Sequence, residues 1–133
     1  MQHSARRFTL QKNERLYERK AIEEVFDKGR YITEKPVRLL WLIKQGIAEN
    51  PVKAAFTVPK SNFKHATDRN LLKRRMREAY RKNKTPLAEV IKNIPAGCLL
   101  MFIYTDVKKT KYEEIESKII VTLQRLIQQT GGK

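Results

Sequence analysis

The run Cys98 to Tyr104 (CLLMFIY) holds seven consecutive apolar residues. Unbroken apolarity at strand length predicts a strand covered on both faces, with neither side of the pleat meeting water. Such a strand needs partner strands beside it and packing layers above and below, which constrains the chain to a layered α/β fold. Val37 to Lys44 (VRLLWLIK) predicts a second strand, in which Arg38 interrupts the apolar pattern and marks a face that is partly open. Val52 to Val58 predicts a third. Val52, Ala54, Phe56 and Val58 fall on one face, and Lys53, Ala55 and Thr57 on the other. Pro59 ends it. Gly46 to Pro51 is a connecting loop, and Pro95, Ala96 and Gly97 form a turn.

Helical spacing fills the remaining segments. Glu14 to Lys28 predicts a helix, with Ile22, Val25 and Phe26 recurring beside Tyr17 and Ala21, and Gly29 at the C-cap. A second helix runs from about Arg69 to Lys82, with Thr67 or Asp68 as N-cap. Pro86 after Thr85 starts a short helix reaching about Asn93. Thr110 and Glu113 resemble a capping box for a last helix striped by Tyr112, Ile115, Ile119, Leu123 and Leu126. The order is α-β-β-(β)-α-β-α: an α/β protein of the α+β two-layer type, with a small mixed sheet of about four strands. At 133 residues the expectation is one domain, 1–133, with 1–13 a flexible basic tail.

Charge sets the class of partner. Lys and Arg number 29 against 14 Asp and Glu, a net charge of +15. Residues 60–84 alone carry ten Lys/Arg against two acids, more than half of the excess. On the helix, Leu71, Leu72, Met76 and Ala79 are expected in one apolar sector. Arg69, Lys73, Arg77 and Arg81 recur every fourth residue along another, with Arg74 beside them and Asn70 among them. Arg75 is expected to lie over the core edge by its stem. Arginine forks grip phosphate oxygens and stack on bases, so this face predicts RNA binding. Lys60 and Lys64 in the preceding loop extend the track, and Arg15, Arg19 and Lys20 add charge on the first helix. Phe26 reads as core on its pattern, with a base-stacking platform as the alternative.

Other chemistries find little support. No apolar run reaches the roughly 20 residues of a spanning helix, and MQHSARRFTL lacks the apolar stretch of a secretory signal. The expectation is a cytoplasmic protein without a membrane partner. Cys98 is the single cysteine, in a core strand. His3 and His65 have no readable nucleophile or metal partner, and no phosphate-loop or zinc spacing occurs. No catalytic or metal-binding residue is expected in the protein.

The ordered motifs resemble the protein subunit of bacterial ribonuclease P. The run Asp68 to Arg81 (DRNLLKRRMREAYR) matches that family's R-N-x-x-K-R-x-x-R-E/Q pattern at Arg69, Asn70, Lys73, Arg74, Arg77 and Glu78. AAFTVPK at Ala54 to Lys60, the opening Arg15-Leu16, V-F-x-x-G at Val25, Phe26 and Gly29, and Tyr112-Glu113-Glu114 are similar too. The likeness spans roughly residues 8 to 127. It departs at Leu71, where the family's third triplet residue is an arginine, here either dispensable or replaced by Arg75, and at Ile22, where the family has its first helix aromatic. The loop before the helix is also one residue longer than usual.

The resemblance implies the fold of the second domain of a small-subunit ribosomal protein, with a left-handed crossover between parallel strands. It implies a role in removing the 5′ leader of precursor tRNA, with ribonuclease P RNA as partner and Mg²⁺ held by that RNA. Arg69, Asn70, Lys73, Arg74 and Arg77 would contact the catalytic RNA. Ile22, Phe26, Arg38, Thr57 and Lys60 would line a leader cleft. Three other readings remain open: a ribosome-assembly RNA binder, a nucleoid-type DNA binder, and a self-sufficient nuclease. DNA binding is not expected, because single-stranded leader recognition favours RNA.

Overall fold

The computed structural model describes residues 15–16, 18–45, 52–94 and 96–130. They form α1 (Arg19–Lys28), β1 (Arg30–Glu34), β2 (Val37–Gln45), β3 (Val52–Thr57), α2 (Ala66–Asn83), α3 (Thr85–Ile91), β4 (Ala96–Tyr104) and α4 (Tyr112–Thr130). The sheet order is β1-β2-β4-β3. β4 lies antiparallel to β2 and parallel to β3. The chain therefore leaves β3, passes through α2 and α3, and returns as β4, the crossover that a parallel pair requires. The predicted tail and the loop 46–51 lie outside the described residues, as do Tyr17 and Pro95.

β4 is the expected central strand, buried along its length except for half-buried Ile103. Ala96 and Gly97 belong to it and not to a turn. β2 runs to Gln45, so Lys44 and Gln45 are there to pair with them. One face of the sheet is closed by α2, α3 and α4. Val52, Ala54, Val58, Leu100, Phe102 and Tyr104 meet Leu72, Met76, Leu87, Ile91, Ile115 and Ile119 there, with Phe56 packed alongside. The alternation read in β3 is the observed one. The apolar stripe of α4 also holds, with Ile115, Ile119, Leu123 and Leu126 buried.

The other face carries a smaller cluster: Leu16, Val25, Leu40, Leu99 and Met101, flanked by Ala21 and Ile22. α1 is shorter than predicted. Arg15 forms a parallel bridge to Ala54, the Leu16 N–H donates to the Ala54 carbonyl at 2.8 Å, and the Leu16 side chain is buried. The open edge of β3 offers this segment strand hydrogen bonds, so the helix waits until Arg19. It then crosses the sheet face to β1 at the far edge. Ten residues rise about 15 Å, and three strand spacings measure about 14 Å.

Gly29 ends α1 and turns the chain into β1. Its φ of −72° is ordinary, so the need for glycine is spatial. A Cβ there would lie 2.4 Å from the Val25 carbonyl oxygen and 2.9 Å from that of Trp41.

Three caps differ from expectation. α2 begins at Ala66, three residues before the predicted start, with His65 at the cap position and no side-chain cap bond. Thr85 is the first residue of α3, and Lys84 takes the cap position. Thr110 does not form the capping box. Its N–H donates to the Tyr104 hydroxyl at 2.9 Å and its own hydroxyl lies 2.7 Å from that group.

Candidate nucleic-acid interface

α2 docks through Leu72, Met76, Ala79 and Tyr80. Tyr80 takes the place expected of Leu71, which is half-buried between Glu78 and Arg75 on the wheel and stands outside the core clusters. The basic stripe is present, but its cations are not equivalent. At about 100° per residue, Arg69 projects between buried Met76 and Tyr80. Its guanidinium donates to the carbonyls of Phe63 and Lys64, both at 2.8 Å. It braces the loop ahead of the helix. Arg75 donates to the Thr110 carbonyl at 2.6 Å, as expected of a residue over the core edge. That contact ties its guanidinium away from the stripe, so it does not replace a basic residue at Leu71. Arg81 forks onto Glu78, whose carboxyl is held below its usual range by that hydrogen bond.

What remains is a smaller, uncompensated group. Asn70, Lys73 and Arg74 have no side-chain hydrogen bond or ion pair among the described residues, and Asn70 and Arg74 are exposed. Arg77 is exposed too, with its guanidinium 5.9 Å from the centre of the Phe56 ring. Lys60 and Lys64 are exposed in a loop that is itself held in place. Phe63 is buried against Tyr104, with ring centres 5.9 Å apart, and Asn62 donates to the Asp106 carbonyl at 3.2 Å.

The second surface is on the opposite face of the sheet. Register places Thr57, Ile103, Arg38 and Thr33 in one row across all four strands. The next row is Ala55, Met101, Leu40 and Tyr31. α1 covers Met101 and Leu40 but leaves the first row half-buried to exposed. Glu24 and Phe26 stand about 160° apart on α1. Glu24 pairs with Lys44 at the covered end of β2, which depresses the Glu24 carboxyl. Phe26 is therefore on the flank toward the open row, about 40° from Ile22. It is 53% exposed, which corrects the core reading. Val25, not Phe26, fills the inward position, with 0% exposure.

The sequence-predicted groups thus fall on two faces, joined round the edge of β3. Thr57 ends β3 on the open side. Lys60 lies in the turn that carries the chain to α2. Tyr31 is an exposed aromatic that sequence reading did not single out. It sits in β1, a five-residue strand too short to register as one. Arg38 lies over its ring at 5.3 Å and donates to the Thr33 hydroxyl at 3.1 Å. Cys98 is fully buried, and its thiol is pushed up to about 12 by that burial. No helix among the described residues is long and apolar enough to cross a membrane.

The fold is shared with solved ribonuclease P proteins. That of Thermotoga maritima superposes with a TM-score of 0.65 at 25% identity, covering 84% of this chain and 96% of that one. That of Staphylococcus aureus gives 0.63 at 15% identity, covering 85% and 94%. The ribonuclease P protein component of Porphyromonas gingivalis is 29% identical over 119 residues, 90% of this chain and 87% of its own length. The Ribonuclease P family model matches residues 10–127, and the chain belongs to that family. Membership makes it the protein part of an endoribonuclease ribonucleoprotein.

Proposed function

We propose that the two surfaces bind two RNAs: α2 holds the catalytic RNA of ribonuclease P, and the open sheet row holds the 5′ leader of precursor tRNA. The observation that carries this is the uncompensated group on α2. Lys73, Arg74 and Arg77, with Asn70, face outward on a helix whose other arginines are engaged within the protein. Arginine forks meet phosphate oxygens, and Asn70 has donors and an acceptor for a base edge or a 2′-hydroxyl. Arg69 supports this surface by fixing the loop of Lys60 and Lys64. Arg81 contributes less, because Glu78 offsets its charge.

For the leader, Ile22 and Phe26 form one wall and Arg38 and Thr57 the floor, with Lys60 at the exit toward α2. A single strand can lay a base against Phe26 and phosphates on Arg38, which a stacked duplex cannot do. The catalytic contribution is electrostatic. A cationic wedge between two polyanions lowers their repulsion and raises local substrate concentration. The metal belongs to the RNA in this account. Mg²⁺ takes oxygen ligands and binds readily to phosphates, which the RNA supplies, whereas the side chains proposed here to meet RNA on α2 are cationic.

The test is cleavage of precursor tRNA by bacterial ribonuclease P RNA at low Mg²⁺. Accurate 5′ cleavage should return when the protein is added, and the protein alone should cleave nothing. Binding to the RNA without any gain in cleavage would favour a ribosome-assembly role.

A further inference from the structure

We propose that Tyr31, with Arg38 laid over its ring, is a base-stacking platform that takes one nucleobase of the single-stranded leader at the outer edge of the sheet. The inference rests on the leader path above and extends it from β3 to β1, a span of about 14 Å.

Tyr31 shares its row with Ala55, Met101 and Leu40. α1 reduces Met101 to 4% and Leu40 to 9% exposure, yet Tyr31 keeps 68%. The reason is topological. α1 ends at Lys28, and one residue later the chain is already β1. Among the described residues no helix covers this face of the edge strand, and the Tyr31 ring is exposed. The Arg38 guanidinium lies 5.3 Å from the ring centre, held there by its Nε donating to Thr33 Oγ1. This arrangement uses one face of the ring and one of the guanidinium donors. The other ring face and the terminal N–H groups are left for a ligand that combines a flat aromatic with an anion. A nucleotide is that ligand: the base stacks on Tyr31 while its phosphate meets Arg38. A paired duplex cannot present its base this way, so the occupant is single-stranded. Stacking accepts any base, so the platform senses that a leader is present and not what it spells.

The experiment uses the reconstituted holoenzyme with wild-type protein, Tyr31→Ala and Tyr31→Phe. Affinity is measured for precursor tRNA, for mature tRNA, and for precursors with one abasic leader position at a time. Tyr31→Ala should weaken precursor binding by about tenfold and leave mature tRNA unchanged, while Tyr31→Phe stays near wild type because the ring is kept. At one leader position the abasic substitution should weaken the wild type by the same factor and add nothing in Tyr31→Ala. Unchanged precursor binding in Tyr31→Ala, or an equal loss on mature tRNA, overturns the platform. If the wild-type holoenzyme itself fails to prefer precursor over mature tRNA, the leader path and the platform fall together. A wild-type preference with a silent Tyr31→Ala removes the platform alone.

Discussion

The two faces of this sheet are built from the same strands and end up with different tasks. On the closed face, helices α2, α3 and α4 cover the strands along their length, and a large cluster of residues from Ile32 to Leu126 is buried. On the other face, among the described residues, one ten-residue helix crosses the sheet, and the buried cluster is five residues. The strands do not change character where α1 stops. Ile103 continues the apolar run of β4, yet it is half-buried beside exposed Arg38. The proposed leader surface is therefore defined by where a covering element ends. Helix α2 shows the same division around its own axis. Leu72, Met76, Ala79 and Tyr80 serve the closed face, and the remaining side carries the charge.

If the closed face supplies stability and the open surfaces supply binding, mutations should separate the two. The largest effect is expected at the centre of the closed face. Phe102 has 0% exposure and stacks on Phe56 at 5.4 Å. Phe102→Ala should cost about 3–5 kcal/mol in denaturant unfolding. A loss well under that would mean that this face is loosely packed. Arg69→Ala comes next, at about 1–2 kcal/mol, because two carbonyls lose a charged donor. Unchanged stability would return Arg69 to the free stripe.

The binding side predicts the reverse pattern. Lys73→Ala with Arg74→Ala should change stability by less than about 0.5 kcal/mol. It should weaken RNA binding roughly tenfold and flatten the dependence of log affinity on log salt by about one to two. Lost stability with an unchanged salt slope would place both residues in the fold.

The last test concerns pH. The Cys98 thiol is pushed up to about 12 in the fold, so at high pH the unfolded chain releases this proton before the folded one does. A group raised in this way stabilises the fold fully below its unfolded value, near 9. That contribution is lost as pH rises from there toward 12. Against Cys98→Ala, the wild type should lose stability more steeply across that window and show no difference in pH response at neutrality. An equal response above pH 9 would contradict the burial argument.

The periodic features of the chain were legible in its sequence. The apolar run of β4, the alternation of β3 and the stripe of α4 each follow from local spacing. Arg38 as a break in β2 pointed to the open face. What escaped depends on partners distant in sequence. Nothing near Arg75 announces the Thr110 carbonyl, 35 residues away. Nothing near Arg15 announces the edge of β3. The helical wheel placed Leu71 in the core because it is apolar, whereas docking chose the sector of Tyr80. Phe26 fits a core pattern by type, yet Val25 occupies the inward position and leaves it on the flank. β1, five residues at the sheet edge, is too short for its spacing to stand out.

The most direct test of the division between faces is amide hydrogen exchange on the reconstituted complex, read segment by segment. With catalytic RNA alone, protection should rise in 60–65 and along α2, while β1, the Arg38 end of β2 and the Phe26 turn of α1 exchange as in free protein. Adding precursor tRNA should then protect those open-face segments, and mature tRNA should not. Protection of both regions by catalytic RNA alone, or of neither by precursor tRNA, would contradict two surfaces serving two RNAs.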